Sequence, residues 1–160
     1  MAQPHGVPDA ADQLRTVERV NYGKQRLLRH QESQVFAAVE AAVQEAGLPW
    51  RVFAQVSLGE VLTCPDREGF SAINAKRVDF LIADAGFAPV AAIEYQGSGH
   101  HLGKAAARDA VKKEALRKAG IGYIEITHHD GPQDVRRAIS RLAFTRTLTE
   151  TGTERRATGG

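Results

Sequence analysis

Two acidic residues that lie inside apolar, strand-like runs constrain the fold of this chain most. Asp79 lies within residues 77–82 (RVDFLI), and Glu94 lies within residues 92–97 (AIEYQG). Both runs are short and rich in Val, Ile, Phe or Leu, and the turn-forming stretch 84–89 separates them. The sequence therefore predicts a β-hairpin that carries one carboxylate in each strand.

The register of this hairpin decides which side chains share a face. If the strands are symmetric about the loop, Ala83 pairs with Val90, and Asp79 then lies directly opposite Glu94. The polar face holds four residues: Arg77, Asp79, Glu94 and Gln96. Period-two alternation sends the apolar residues to the other face: Val78, Phe80, Ile82, Ile93 and Tyr95.

Two opposed carboxylates need a compensating charge, because directly opposed Cβ atoms lie only about 4.5–5.5 Å apart and like charges repel at that spacing. A divalent cation would supply it, and Mg²⁺ is favoured by its preference for oxygen ligands and its habit of binding one or two carboxylates together with phosphate oxygens. An ordinary ion-paired strand end is the alternative. In that case Asp79 pairs with Arg77 or Lys76, and Glu94 pairs with a lysine on a helix.

The length and composition fit a globular domain. A chain of 160 residues with 42% hydrophobic residues suits one domain with a sizeable core. The single cysteine, Cys64, excludes a disulfide framework or a cysteine-based zinc site. No apolar run approaches the ~20 residues of a membrane span, and no signal-peptide pattern is present, so we expect a cytoplasmic protein without membrane contact.

The pattern of periodicity and turn residues predicts the element order αβββαβα. The domain is expected over residues 26–145, between a mobile N-terminal segment (1–25) and a mobile C-terminal tail (146–160). The elements flanking the hairpin are a helix over 31–46, a strand over 51–58, an irregular excursion over 59–69, a helix over 103–119, a strand over 122–127 and a helix over 133–145. Val111, Ala115 and Ala119 are expected to form the apolar stripe of the second helix. Because a helix joins them, the strands near 90–96 and 122–127 should be parallel neighbours.

Charge is distributed unevenly along the chain. Residues 31–99 contain four Arg or Lys against nine Asp or Glu, whereas residues 100–160 contain twelve against seven. A basic C-terminal half suits contacts with phosphate groups, although a solvated basic helix face would give the same bias.

The ordered segments resemble those of the PD-(D/E)XK nuclease superfamily, and within it the family known as domain of unknown function 2726. The resemblance covers roughly residues 26–128 and includes 55–58 (QVSL), 77–80 (RVDF), 92–94 (AIE) and 108–113 (RDAVKK). A second similarity, to very-short-patch-repair-like endonucleases, lies in the spacing of seven residues: Glu94, Gly97, His100, Asp109, Lys112, Leu116 and Gly120. The resemblance implies a restriction-endonuclease-like α/β core, an αβββαβ sandwich with a mixed sheet, followed by a C-terminal helix.

The resemblance also implies a site. Asp79 and Glu94 would be ligands of Mg²⁺ or Mn²⁺, and a metal-activated water would attack a phosphodiester of DNA. At position 96 the chain has Gln where the superfamily motif usually has Lys. Gln96 would then order the water or the metal shell, and Lys112 or Lys113 would supply the missing cation from the neighbouring helix.

Five further residues are candidates for secondary roles. His100, Arg108 and Lys113 are expected to contact phosphate or nucleic acid, although loop and surface roles are equally compatible with their positions. Glu32, at the start of the first helix, is either an accessory acid near the metal or a residue that complements the helix N-terminus. Asp109 is expected to pair with Lys113 four residues later, either as a surface salt bridge or as part of the site.

Three functions follow from these patterns. The first is a Mg²⁺-dependent DNA endonuclease or phosphodiesterase. The second is a catalytically inactive nuclease-fold module that binds nucleic acid or a protein partner, which the glutamine at position 96 favours. The third is a purely structural interaction domain, which would bind neither metal nor DNA.

Overall fold

A four-stranded mixed sheet forms the centre of the molecule. The computed structural model describes residues 9–98 and 103–157. The strands are β1 (Arg51–Ser57), β2 (Arg77–Ala83), β3 (Pro89–Gln96) and β4 (Gly122–Thr127), and they lie side by side in that order. β1, β2 and β3 pair antiparallel, whereas β3 and β4 are parallel. The predicted hairpin and the predicted parallel pair are both confirmed.

Helices cover both faces of this sheet. The described helices are α1 (Ala10–Arg19), α2 (His30–Glu45), α3 (Leu58–Val61), α4 (Arg67–Ile73), α5 (Lys104–Lys118) and α6 (Pro132–Ala157). One core layer packs α2 and α6 against the sheet around Phe80, Ile93 and Ile139. The other packs α3, α4 and α5 against the opposite face around Leu58 and Leu116. The chain is therefore a mixed α/β domain in which α5 provides the crossover between β3 and β4.

Helical structure extends further than the sequence pattern predicts. Residues 10–19 form α1, which begins where Asp9 accepts the N–H of Asp12, and part of the excursion over 59–69 is helical because Asp66 accepts the N–H of Gly69. α6 continues to Ala157 instead of ending near residue 145. No proline interrupts this stretch, and threonine hydroxyls at 145, 147 and 149 bond to carbonyls one turn earlier.

The apolar stripe of α5 is not the predicted one. Leu116 is fully buried and Ala115 is partly buried, whereas Val111 is 40% exposed. The helix is thus rotated by about one residue, or about 100° around its axis, from the predicted orientation. The larger leucine side chain buries more apolar area than valine at that position would.

The hairpin register is confirmed next to the acidic residues but shifts near the loop. Phe80 pairs with Ile93, and this register places Asp79 against Glu94 one step further. At the loop Ala83 pairs with Pro89 instead of Val90, because the register shifts by one residue after Ile82. A β-bulge of this kind bends the strands without moving the paired residues beyond it.

The prediction that Val78 shares a face with Phe80 is wrong. Val78 packs in the α5 layer, whereas Phe80 packs in the α2 layer. The neighbouring strand β1 shows the same change of face over two residues, since Ala54 packs in the α2 layer and Val56 in the α5 layer. Between them lies Gln55, with a φ of 58°. This left-handed residue interrupts the two-residue alternation of the strand.

In the described part of the chain, no helix is both long enough and apolar enough to span a bilayer.

Candidate active site

Two carboxylates and one ammonium group meet where β2 and β3 pass beneath α5. Glu94 is the buried charged residue of the described chain, with 5% of its surface exposed. Oε1 of Glu94 accepts a hydrogen bond from Nζ of Lys112 at 2.5 Å. Asp79 lies beside Glu94 on the neighbouring strand and accepts the backbone N–H of Tyr95 through Oδ2 at 2.8 Å. These three side chains form the candidate site.

Lys112 is held in place by three acceptors. Besides Glu94, its Nζ contacts Oδ1 of Asp109 at 3.2 Å and the backbone carbonyl oxygen of Arg77 at 3.3 Å. An ammonium group has three N–H donors, so these contacts use all of them. The bonds join α5 to both strands of the hairpin. A cation is thereby fixed against the carboxylate pair with 13% of its side chain exposed.

Burial makes Glu94 a proton-exchanging group near neutral pH. Burial raises its pKa to about 7, and Asp79 adds to the rise through its charge and a hydrogen bond, although Lys112 acts in the opposite direction. Burial lowers the pKa of Lys112, but its hydrogen bonds to Glu94 and Asp109 outweigh this effect and raise the pKa above its usual value. Lys112 therefore stays protonated while Glu94 gains or loses its proton.

Local structure explains how these side chains meet. Glu94 alternates with Ile93 and Tyr95, whose side chains pack on the α2 side, so its carboxylate points toward α5. On α5, Lys112 precedes the buried Leu116 by four residues and thus lies on the same helix face. Its ammonium group thereby reaches both strands of the hairpin, at the Arg77 carbonyl on β2 and at Glu94 on β3.

The other predicted residues within the described part of the chain make contacts elsewhere or are exposed. Nζ of Lys113 lies over the ring of Tyr123, 5.4 Å from its centroid, and Arg108 is exposed on α5. Gln96 ends β3, where its backbone oxygen accepts the N–H of His128 at 3.2 Å. Glu32 accepts the backbone N–H of Arg29 at 2.7 Å, so it stabilises the N-terminus of α2, which was the second role expected for it. His100 lies outside the described residues.

Two pairings differ from expectation in a way that bears on the charge balance. Asp109 pairs with Lys112 rather than with Lys113. Glu94 pairs with a helix lysine, as the ion-pair alternative predicts, while Asp79 is held by the Tyr95 backbone rather than by Arg77 or Lys76. The structure thus supplies a cation for one of the two carboxylates from within the chain.

Tyr95 is a site residue that the sequence pattern did not identify. Its N–H fixes Asp79, and its hydroxyl donates to Oε1 of Gln31 on the other side of the sheet at 3.3 Å. The sequence did contain a signal for this role. Tyr95 lies between Glu94 and Gln96, at a position where an apolar residue such as Phe would pack in the core without needing a hydrogen-bond partner.

Tyr123 also lies close enough to the site for the charge of Glu94 to affect the pKa of its hydroxyl. Burial raises the pKa of its hydroxyl, and the charge of Glu94 adds to this rise. The hydroxyl oxygen is buried and has no hydrogen-bond partner among the described residues.

Within residues 9–98 and 103–157, no group of three or more His, Cys, Asp or Glu side chains is arranged to hold a metal ion. Any divalent ion here would rely on two carboxylates, with water and substrate oxygens completing its shell. Mg²⁺ commonly binds in this way. The donor set is all-oxygen, and Oδ1 of Asp79 and Oε2 of Glu94 are the atoms not engaged by Tyr95 and Lys112. The residues present therefore fit Mg²⁺ or Mn²⁺.

Comparison with known proteins identifies the family. Residues 24–142 match the family described as "Protein of unknown function (DUF2726)". The chain belongs to this family. DUF2726 thus covers the whole sheet, helices α2 to α5 and the first half of α6, including Asp79, Glu94 and Lys112.

Two relatives of this DUF2726 protein extend the comparison. An uncharacterized protein of Sinorhizobium fredii is 48% identical over 122 residues, which cover 76% of this chain and 88% of the relative. An uncharacterized protein of Haemophilus influenzae is 43% identical over 124 residues, which cover 78% of this chain and 65% of the relative. No solved structure matches the chain.

Proposed function

We propose that this DUF2726 protein is a Mg²⁺- or Mn²⁺-dependent DNA endonuclease or phosphodiesterase of the PD-(D/E)XK type. The observation that carries the proposal is the meeting of Asp79, Glu94 and Lys112 at one point on the hairpin. Nuclease sites of that superfamily resemble this arrangement, with two acids and a lysine. Here the lysine comes from α5 and not from position 96.

The carboxylates would hold the metal. Burial raises the pKa of Glu94 to about 7, and charge repulsion from Asp79 adds to this rise, so the pair tolerates two negative charges poorly. A divalent cation between them would relieve that repulsion. When bound, the ion supplies an acidified water and positive charge for the oxygens of the scissile phosphate.

Lys112 would contribute a fixed positive charge. Its ammonium group is already oriented by Glu94, Asp109 and the Arg77 carbonyl, so it needs no rearrangement to face charge that develops beside Glu94. Preorganised donors of this kind stabilise a transition state more than mobile ones do. Gln96, at the end of β3, would hydrogen-bond water at the edge of the site, and Arg108 on the exposed face of α5 would contact the phosphates of DNA.

A catalytically inactive module is the second candidate, and one observation favours it. Lys112 already neutralises Glu94 within the chain, so the pair is balanced without metal. With glutamine at position 96, the protein would then keep the fold and bind nucleic acid through its basic C-terminal half. Such binding would weaken steeply with salt, because phosphate contacts release counterions.

The deciding experiment is cleavage of end-labelled single-stranded, duplex and branched DNA with Mg²⁺ or Mn²⁺. We expect the intact protein to cut at least one substrate, and Asp79→Asn and Glu94→Gln to abolish cutting while circular dichroism shows a retained fold. An intact protein that cuts nothing and gives a flat metal titration would sink the nuclease proposal. The slope of DNA affinity against salt would then separate the binding module from a structural domain.

A further inference from the structure

A cleft lined by both polar and apolar side chains lies on the opposite side of β3 from the carboxylate pair. It occupies about 540 Å³ between the start of α2 and the β4–α6 connection. Its polar lining includes Gln31, Gln34, Thr127, His128 and Asp130, and Tyr95 contributes a phenol. The cleft is at the carboxyl ends of the parallel strands β3 and β4, which is where α/β sheets commonly bind ligands.

The chemistry of the lining favours a neutral ring over a phosphate. None of the described residues that line the cleft is Lys or Arg. Asp130 adds a negative charge, and hydrogen bonds from the Thr127 backbone and hydroxyl lower its pKa, so the charge persists. A phosphate would meet repulsion there. Val35, Ala38 and Ile126 provide an apolar floor that suits a flat ring.

The two glutamine side chains supply the hydrogen-bonding pattern that a nucleobase needs. Each carboxamide offers both donor and acceptor atoms, so it can complement the edge of a base. Oε1 of Gln31 already accepts the Tyr95 hydroxyl, which orients its amide nitrogen. Gln34 lies one helical turn further along α2 and lines the same cleft. Aromatic Tyr95 and His128 add surfaces on which a base can stack.

Tyr95 also connects the cleft to the candidate active site. Its N–H donates to Oδ2 of Asp79 at 2.8 Å, while its side chain lines the cleft. β3 ends one residue later at Gln96. A DNA strand that passes around this end of β3 would contact both the cleft and the carboxylate pair.

We propose that this cleft binds an unpaired nucleobase of the DNA whose phosphate lies at Asp79 and Glu94. The inference rests on the proposed nuclease function and adds a substrate class to it, namely DNA with a single-stranded segment. A base inside a duplex cannot enter a cleft between a helix and a loop, because its edge is paired and its faces are stacked.

The first test measures base binding without cleavage. The metal-free, full-length protein labelled with ¹⁵N is titrated with each of the four deoxynucleosides, and with deoxyribose 5-phosphate as a probe that lacks a base. We expect saturable shifts of the Gln31 and Gln34 side-chain amide signals with at least one nucleoside and none with the sugar phosphate. Gln34→Ala should weaken binding about fivefold. Gln44→Ala, on the same helix outside the cleft, should leave it unchanged.

A second test asks whether the cleft serves cleavage. Single-stranded substrates carry one abasic position that is moved along the strand, and cutting should fall about tenfold when the abasic position coincides with the cleft. If the protein cuts DNA, yet no nucleoside shifts the glutamine amides and no abasic position matters, the base-binding inference is wrong and the nuclease stands. If nucleosides bind but nothing is cut, the cleft stands and the nuclease proposal fails.

Discussion

Nζ of Lys112 lies 2.5 Å from Oε1 of Glu94, which joins α5 to the middle of the sheet. Both side chains are largely buried, with 13% and 6% of their surfaces exposed. Breaking a buried ion pair on one side leaves the other charge without a partner, which costs more than the pair itself contributes. The pair therefore couples the stability of the domain to the charge state of its candidate site.

Stability should depend on pH through Glu94. Its pKa is raised from 4.5 to about 7 in the folded protein, so the folded state binds this proton more tightly than the unfolded state does. The resulting stabilisation is complete below pH 4.5 and is lost as pH rises through 7. In urea unfolding with EDTA, the difference in unfolding free energy between the intact protein and Glu94→Gln should fall by up to about 3 kcal/mol from pH 4.5 to 8.

Glu114→Gln provides a control of opposite sign. Glu114 is exposed and its hydrogen bond to Arg117 lowers its pKa, so its contribution is lost as pH falls, not as it rises. If the difference in unfolding free energy between the intact protein and Glu94→Gln stays constant or increases from pH 4.5 to 8, the raised pKa of the buried Glu94 is contradicted.

Replacing Lys112 should destabilise the domain most at alkaline pH. We expect Lys112→Met to lower the unfolding free energy by about 3 kcal/mol at pH 8, where Glu94 would be left as a buried charge. The loss should be smaller at pH 5, where Glu94 is protonated. Lys113→Met is the matched control, because Lys113 is exposed and its ammonium group lies over the Tyr123 ring, and it should cost less than about 1 kcal/mol. Equal effects of the two substitutions would count against the described pairing.

The same two variants test the proposed role of Lys112 in cleavage. If its ammonium group stabilises charge at the scissile phosphate, Lys112→Met should reduce kcat about 10²- to 10³-fold with Mg²⁺. Lys113→Met should retain kcat within about threefold, with a modest change in KM from lost phosphate attraction. Single-turnover cleavage at saturating DNA separates the two parameters. A Lys112→Met variant with normal kcat would show that another group stabilises the charge at the scissile phosphate.

Gly120 should be intolerant of a side chain for conformational reasons alone. It follows α5 with a φ of 71°, and an added Cβ would meet no atom within 4 Å. Gly120→Ala should therefore lower the unfolding free energy by about 1–2 kcal/mol through backbone strain, whereas Gly120→Asn should cost less because asparagine tolerates the left-handed region. Denaturant unfolding of both variants checks this ordering. Alanine that is tolerated as well as asparagine would mean that the turn does not hold this conformation.

Most of the sheet could be predicted from the residues. Turn chemistry between two β-branched runs gave the hairpin, and a helix between strands required the parallel pairing of β3 with β4. The opposition of Asp79 and Glu94 followed because register is fixed wherever one face must be buried. Local pattern did not reveal the left-handed Gln55, because no glycine marks that position.

The sequence by itself determined that two acids share one face of a hairpin and that lysines lie on the helix that follows. Only the tertiary structure decided which lysine reaches them. Lys112 and Lys113 differ by about 100° around α5, and the burial of Leu116 in place of Val111 fixed that rotation and turned Lys112 inward. Likewise, Tyr95 connects the acids to the cleft because α2 packs across the sheet and brings Gln31 to its hydroxyl, while its N–H binds Asp79. Helix periodicity sets the spacing of side chains along one element, whereas packing between elements sets where that face points.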